Sequence, residues 1–566
     1  MQSLLAGIPA GGAAAAAAVG GLVAAAALAE RADQKNRLNL PPAVPGLPII
    51  GNLHQLKEKK PHQTFARWSE EYGPIYSIRT GASSVVVVNS AEVAKEFALL
   101  VISLPAVHFL CFLKVEMYQG LKRPPFCFEK MPYYCRIPLN AMVAKYSSIN
   151  TRKLPKALSV LTRDKKIVAM SDQGELYKMV KRYIMVSMLG AAAQKQFRDT
   201  RNTMIDNMLS TFHALVADDP KAPLNFRDVF QNELFGLSMT QANDFLHILR
   251  FETGLQIQAL SEDVSSVYVE EFGKALSREE IYQTAVADMM MCAIEVDWRD
   301  FFPYLGWIPN RSFETRVLTT EARRTALMQA LINQQKERIA RGESRMSYVD
   351  FLLAENTLTD EQLLMLVWEA VIEAADTTLV TTEWAMYEIA KHPEKQEYLY
   401  QEIRKVCGNK TVTEDHLPEL PYLNAVFHET LRRHSPVPLV PPRLVHESTN
   451  LAGYEVPAGT QMIINLYGCN MNKSDWDAPE EWRPERFLDG SFEVADMYKT
   501  MAFGGGRRAC AGSIQAVNIA CTAIARFVQE FAWTLKEGDE DKDDTIQLTT
   551  NRLYPLHVYL TPRGRK

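Results

Sequence analysis

No acidic or basic residue occurs before Glu30 in this chain of 566 residues. A secretory signal peptide normally opens on a basic stretch, so its absence argues against export. Cys-x-x-Cys pairs are also missing, and the cysteines number only eight. Both facts argue against a disulfide scaffold and a zinc site, and favour a reducing, cytosol-facing setting. No Lys/Arg run exceeds a few residues and the net charge is −5, which leaves no electrostatic footprint for nucleic acid. Internal repeats are absent as well. The length exceeds that of a typical single domain and allows a large core.

What the N-terminus does hold is an uncharged, alanine- and glycine-rich run through residue 29. It is long enough to span a bilayer, which takes about 20 residues. "ERADQKNR" follows, so the basic residues would stay cytosolic. Low-complexity disorder is the competing reading; a membrane anchor over residues 1–29 is the expectation. Residues 30–52 turn charged and then proline-rich, with Pro41, Pro42, Pro45 and Pro48, and predict a stiff spacer. Residues 53–566 then form the catalytic body.

Within the body, "PIYSIRTGASSVVVVNS" predicts two short strands joined at Gly81 and Ala82. Most of the remainder is helical, giving a mainly α fold with small β-sheets. Apolar residues recur at helical spacing from about Leu363 to Ile389. Thr359 with Gln362 forms a capping box and Pro393 a stop. A helix of that length reaches about 45 Å and has to be a central pillar. In the last helix Ile514, Val517, Cys521, Ile524 and Val528 share one face, and "KEGDEDKDD" reads as a solvated loop.

One cysteine stands apart. "FGGGRRACAG" places Cys510 among Gly504, Gly505, Gly506 and Gly512, where a glycine loop meets that last helix. A lone cysteine is most often a small buried hydrophobe. At a helix N-terminus, however, free amides and the dipole favour an anion, so a lowered thiol pKa is expected. A thiolate on a flat, glycine-lined surface suits a planar metal cofactor. Arg508 could pair with its acidic edge, and haem meets every requirement.

The stretch resembles the haem-binding signature of the cytochrome P-450 monooxygenases, Phe-x-x-Gly-x-Arg-x-Cys-x-Gly. Phe503, Gly506, Arg508, Cys510 and Gly512 match it position by position. Three companions follow the family's order. Glu429 and Arg432 in "ETLR" could be only a solvated helical ion pair; with Arg486 of "PERF" they match a structural trio of the family. "EAADTT" in the pillar matches the family's small-Gly-x-Asp/Glu-Thr at Asp376 and Thr377, and departs from it at Glu373 and Ala374. Its threonines could equally bond back to carbonyls one turn earlier. The resemblance implies the cytochrome P-450 fold and haem b with iron ligated axially by Cys510. It also implies a proton relay through Asp376 and Thr377, and a pillar loosened to hold a water near Thr377. Arg443 of "PPR" becomes a second propionate partner, and Lys181, four residues after Tyr177, stands where the family often has an arginine after a tryptophan.

Further along, "IEAADTTLVTTEWAMYEIAKHPEK", "LPYLNAVFHETLRRHSPVPLVPPRLVHE" and "MAFGGGRRACAGS" resemble the plant ent-kaurene oxidases of the cereal type. That resemblance implies three-step oxidation of the C19 methyl of ent-kaurene to ent-kaurenoic acid, in gibberellin biosynthesis. The implied partners are O2, an NADPH-cytochrome reductase and a membrane, at the endoplasmic reticulum or plastid outer envelope. Ala374, Val437, Leu439 and Val440 become expected substrate contacts, apolar as a hydrocarbon requires. A paralogue oxidising another labdane-related diterpene for defence, and a haem protein inactivated by insertions, remain alternatives. Two segments do not fit the family's pattern, 97–140 and about 240–258, and are expected to be insertions. The first holds three of the eight cysteines.

Overall fold

The computed structural model describes residues 39–56, 60–99, 151–243, 267–342, 347–488, 500–505, 508–542, 545 and 549–564. Helices dominate, and the strands gather into small sheets. The pillar spans Asp360–Lys391. Its start is the expected reciprocal cap: the Gln362 N–H donates to Thr359 Oγ1 at 3.2 Å, and the Thr359 N–H to Gln362 Oε1 at 2.9 Å. The helix Pro393–Cys407 begins directly afterwards, its proline at the first position, where a missing N–H costs nothing.

Two hydrophobic clusters grip the pillar. Leu363 to Ala375 packs with Ile281, Leu327 and Tyr348. Leu379 to Ala390 packs with Phe230, Phe527 and Trp533, from the helices Phe226–Asn243 and Ser513–Glu530 and the strand Phe531–Leu535. Each fully buried Leu- or Phe-sized side chain contributes about 1.5–3 kcal/mol, so the helix is fixed on both sides of residues 376–378. There the apolar packing is interrupted by Asp376, Thr377 and Thr378.

Ile75–Thr80 and Ser83–Val88 form the expected hairpin, turning at Gly81. Gly81 has φ 61°, and a Cβ there would stand 2.3 Å from the Phe301 carbonyl oxygen, so only glycine fits. Gln461–Ile464, Arg443–Leu444 and Thr151–Arg152 complete a five-stranded sheet. In that sheet Arg152 lies directly opposite Arg443.

From Asn39 onward the proline stretch of the expected stiff spacer lies against the hairpin. The Ser77 N–H donates to Pro42 O at 2.7 Å, the Val44 N–H donates to Ser77 O at 2.9 Å, and Val44 is buried. A segment with few N–H groups suits a sheet edge, and its stiffness seats it on the hairpin. Residues 1–38, including the expected anchor, lie outside the described residues. Among the described residues no helix is long and apolar enough to cross a membrane. The expected insertions begin inside regular helices, Ala91–Leu99 and Phe226–Asn243, and their remainders are outside the described residues.

Candidate active site

A hydrogen bond from the Cys510 N–H to the Phe503 carbonyl at 2.8 Å closes the glycine loop. Gly504, with φ 68°, supplies the left-handed residue the turn requires. Phe503 anchors the loop on the second core cluster, its ring stacked 6.5 Å from that of Phe427. Gly512 caps the helix Ser513–Glu530, and a Cβ on it would lie 3.9 Å from Cys510 Sγ. Gly506 lies outside the described residues.

Among the described cysteines Cys510 alone is exposed; Cys292, Cys407, Cys469 and Cys521 are buried. Yet the surrounding protein pushes the Cys510 thiol up, and the facing Glu373 carboxylate adds to this, against a smaller opposing effect from the Gly512 amide and Lys181. The expectation of a lowered pKa is therefore corrected. Cys510 precedes the cap of its helix, and one amide cannot offset desolvation together with a like charge. The sulfur is accessible and yet desolvated by the protein around it.

Cations collect beside it. Arg508 lies over the Tyr177 ring at 4.6 Å and donates to the Ser171 and Val168 carbonyls. Lys181 donates to Tyr177 Oη at 3.2 Å and to the Ala509 carbonyl at 3.5 Å, so it touches the cysteine loop itself. Arg443 is buried on its strand. Sequence reasoning missed a fourth member, Arg152, which lies in no motif and reaches this place only through the sheet. Its pKa is lowered to about 9, by burial and then by Arg443 and Arg508. Buried cations that repel one another define a site for an anionic group.

On the pillar, Asp376 is buried and its pKa is raised, chiefly by desolvation. Asn551 Nδ2 donates to its Oδ1 at 3.0 Å, so Asp376 is tied to the C-terminal loop. Thr377 is half-buried. The expected loosening is not found: the pillar is α-helical throughout, with Ala374 in place of the glycine that would favour a break. The back-bonded hydroxyls belong to Thr381 and Thr382, which donate to the Thr377 and Thr378 carbonyls at 2.9 and 2.8 Å. One turn before Thr377, Glu373 is exposed, while Glu369, one turn earlier, is 1% exposed.

The structural trio is assembled. Glu429 and Arg432, both fully buried, share two hydrogen bonds of 2.7 Å, and Arg486 Nε donates to Glu429 at 3.2 Å. The expected apolar contacts are more dispersed. Ala374, Val437, Leu439 and Val440 are each half-buried. Leu439 packs on one side of the five-stranded sheet, with Val44 and Phe65; Val440 packs on the other, with Ile75 and Val86. A cleft of roughly 1490 Å³ runs between the helix Pro61–Tyr72 and Met290, Met291 and Ile294. Cys510 is not on its wall; its lining includes Thr549 and Asn551, the neighbours of Asp376.

A planar iron porphyrin with two carboxylates fits this donor set. Cys510 would hold the iron, and Arg152, Lys181, Arg443 and Arg508 would pair with the carboxylates. When bound there, haem supplies dioxygen activation, its thiolate ligand pushing electron density onto the metal. The raised thiol pKa is no obstacle, since a metal cation deprotonates a coordinating thiol.

The profile of the cytochrome P450 family, "Cytochrome P450", matches residues 41–100 and 140–557. The chain is 68% identical over 561 residues to "Ent-kaurene oxidase 2" of Oryza sativa subsp. japonica, covering 99% of each chain. It is 61% identical over 530 residues to "Ent-sandaracopimaradiene 3-hydroxylase" of the same organism, covering 93% of this chain and 92% of that one. It is 51% identical over 527 residues to "Ent-kaurene oxidase" of Salvia miltiorrhiza, covering 93% and 90%. A solved zebra fish cytochrome P450 with abiraterone shares the fold at TM-score 0.63 and 19% identity, over 90% of this chain and 100% of that chain. With an exposed signature cysteine on the glycine loop, a cation cluster beside it and a family match over most of its length, the chain belongs to the cytochrome P450 family and is a haem-thiolate monooxygenase.

Proposed function

We propose that this monooxygenase oxidises the C19 methyl of ent-kaurene through alcohol and aldehyde to ent-kaurenoic acid, in gibberellin biosynthesis. The observation that carries this reading is the 68% identity to an ent-kaurene oxidase over 99% of both chains. The half-buried Ala374, Val437, Leu439 and Val440 are apolar, as a hydrocarbon without a polar handle requires. A second reading, oxidation of a different labdane-related diterpene, is supported by the 61% identity to a hydroxylase of ent-sandaracopimaradiene. Product analysis separates them. Microsomes carrying the full chain and a plant NADPH-cytochrome reductase receive ent-kaurene and ent-sandaracopimaradiene in parallel. Ent-kaurenoic acid is the expected product; hydroxylated ent-sandaracopimaradiene with untouched ent-kaurene establishes the second reading.

Electrons from that reductase, O2 and a membrane setting complete the proposal, with residues 1–29 as anchor and the body facing the cytosol. The setting is the endoplasmic reticulum or plastid outer envelope. Exposed apolar side chains of the body support a lipid contact. Ile49 is 69% exposed and Trp307 80%. Their segments meet at the hairpin turn, where the Gly81 N–H donates to Ile50 O and the Ala82 N–H to Phe301 O.

The family match breaks between residues 100 and 140, which supports reading most of 97–140 as an insertion. Since the helix Ala91–Leu99 includes Phe97, the excision to make is 101–139. The shortened chain is expected to give more haem-loaded protein, measured by the thiolate-type carbon monoxide spectrum per milligram. Loss of a spectrum that the full chain shows would make the segment part of the fold.

A further inference from the structure

The C-terminal loop meets the pillar where its apolar packing breaks. Asn551 Nδ2 donates to Asp376 Oδ1 at 3.0 Å and to Thr549 Oγ1 at 2.9 Å. The other carboxyl oxygen, Asp376 Oδ2, is buried and has no hydrogen-bond partner among the described residues. A buried oxygen left unpaired costs stability and calls for an explanation. The loop is clamped on both sides of Asn551. The Thr550 N–H donates to Pro436 O at 3.0 Å and the Thr550 hydroxyl to Ser435 O at 2.8 Å. Trp384 Nε1 of the pillar donates to Thr550 O at 2.7 Å. Arg552 is fully buried, stands over the Tyr387 ring at 3.8 Å, and its carbonyl accepts from Arg227 Nη2 at 2.8 Å. Thr550 and Arg552 therefore face inward, while Thr549, Asn551 and Leu553 line the cleft beside the helix Pro61–Tyr72. Half-buried Asn551 thus has the cleft on one side and the carboxyl on the other.

We propose that Asn551 is the positioning residue of Asp376, and that Asn551 and Thr549 form the port through which water in the cleft resupplies that carboxyl with protons. The inference rests on monooxygenase chemistry and on the expected role of Asp376 as proton carrier, not on which diterpene is oxidised. Each turnover places one atom of dioxygen in the product and the other in water, consuming two electrons and two protons. The reductase supplies the electrons, and the protons come from solvent. Asp376 passes a proton inward and regains one from the cleft, so the carboxyl is unchanged over a cycle. Asn551 keeps Oδ1 as an acceptor, which confines the exchange to Oδ2. Thr549 accepts from Asn551, which leaves its own O–H to donate toward the carboxyl or the cleft water. With its neighbours on both sides clamped, Asn551 holds this geometry without reorganising at each turnover.

The test uses the haem-loaded full chain in membranes and has two readings. The first needs no turnover and is a double-mutant cycle on melting temperature. Asn551→Leu is expected to lower it, and to lower it by less than half as much in an Asp376→Leu background, where the acceptor is gone. The thiolate-type carbon monoxide spectrum should persist throughout. The second reading follows NADPH electrons with whichever of ent-kaurene and ent-sandaracopimaradiene is oxidised. Asp376→Asn and Asn551→Leu should each raise the share lost to peroxide several-fold at unchanged substrate half-saturation, and the double variant should be no worse than either. Asn551→Gln keeps an amide donor and should recover part of the coupling, which guards against a leucine variant that loads haem poorly. Equal melting shifts in the two backgrounds overturn the positioning role. So does an Asn551→Leu enzyme that wastes no electrons while Asp376→Asn does. Tight coupling in Asp376→Asn instead removes the proton carrier, and the port falls with it.

Discussion

Cys510→Ala is expected to abolish the thiolate-type carbon monoxide spectrum and all turnover, while Cys521→Ala retains both. The two residues sit on the same loop-and-helix unit but in opposite surroundings. Cys510 is exposed, whereas Cys521 is wholly buried in the second core cluster. Losing Cys521 therefore removes only packing, about 1 kcal/mol for a small cavity. Losing Cys510 removes the one described sulfur from which a metal can be held, since Cys292, Cys407 and Cys469 are buried elsewhere. The mutation takes no hydrogen bond from the loop, because the bond to Phe503 O comes from the backbone N–H of residue 510. The variant should therefore fold, and its melting curve with and without added haem separates ligand loss from misfolding. A Cys510→Ala protein that still shows the thiolate spectrum would remove the basis of the whole site.

How much of this was legible in the sequence depended on distance along the chain. Features held within a few residues were readable: the reciprocal cap at Thr359 and Gln362, the hairpin at Gly81, and the loop from Phe503 to Gly512. They follow from local backbone requirements, which short motifs record. The pairing of Glu429 with Arg486 also emerged, though only through family resemblance. Contacts made by the tertiary fold without a motif did not. Arg152 enters the cation cluster because its short strand pairs with Arg443, and nothing in "NTRKLP" signals that. Glu369 looks like one more polar residue in the pillar until its oxygens meet the amides of Val168 and Ala169. The acidity of Cys510 was misread for a related reason. Local dipole reasoning included the helix but not the carboxylate of Glu373 or the surrounding protein. The seat of the proline stretch on the hairpin, through Pro42, Val44 and Ser77, was likewise not legible.

Glu429→Ala is expected to leave little folded, haem-loaded protein, even though residue 429 lies outside the cysteine loop. The carboxylate is fully buried and gathers four donors: Arg432 Nε and Nη2 at 2.7 Å each, the Arg483 N–H at 2.8 Å and Arg486 Nε at 3.2 Å. Arg432, equally buried, turns its remaining donors on the carbonyls of Asn470 at 2.9 Å, Pro479 at 2.7 Å and Glu481 at 2.9 Å. One ion pair thus ties the helix Pro421–Arg433 to the irregular chain that leads toward Phe503. That helix also supplies Phe427, whose ring stacks on Phe503 of the cysteine loop. Removing Glu429 leaves the Arg432 guanidinium buried without its counter-charge, which costs about 3–5 kcal/mol. That is a large share of the roughly 5–15 kcal/mol by which proteins of ordinary stability fold. Glu429→Gln keeps the shape but not the charge and should fall between wild type and alanine. Arg433→Ala, on the same helix with an exposed bond to Glu480 O, should be nearly silent. The measurement is thermal melting of the full chain with haem content read in parallel. If Glu429→Ala melts and loads haem like Arg433→Ala, the trio is a bystander, and the cysteine loop is held in place by its apolar contacts alone.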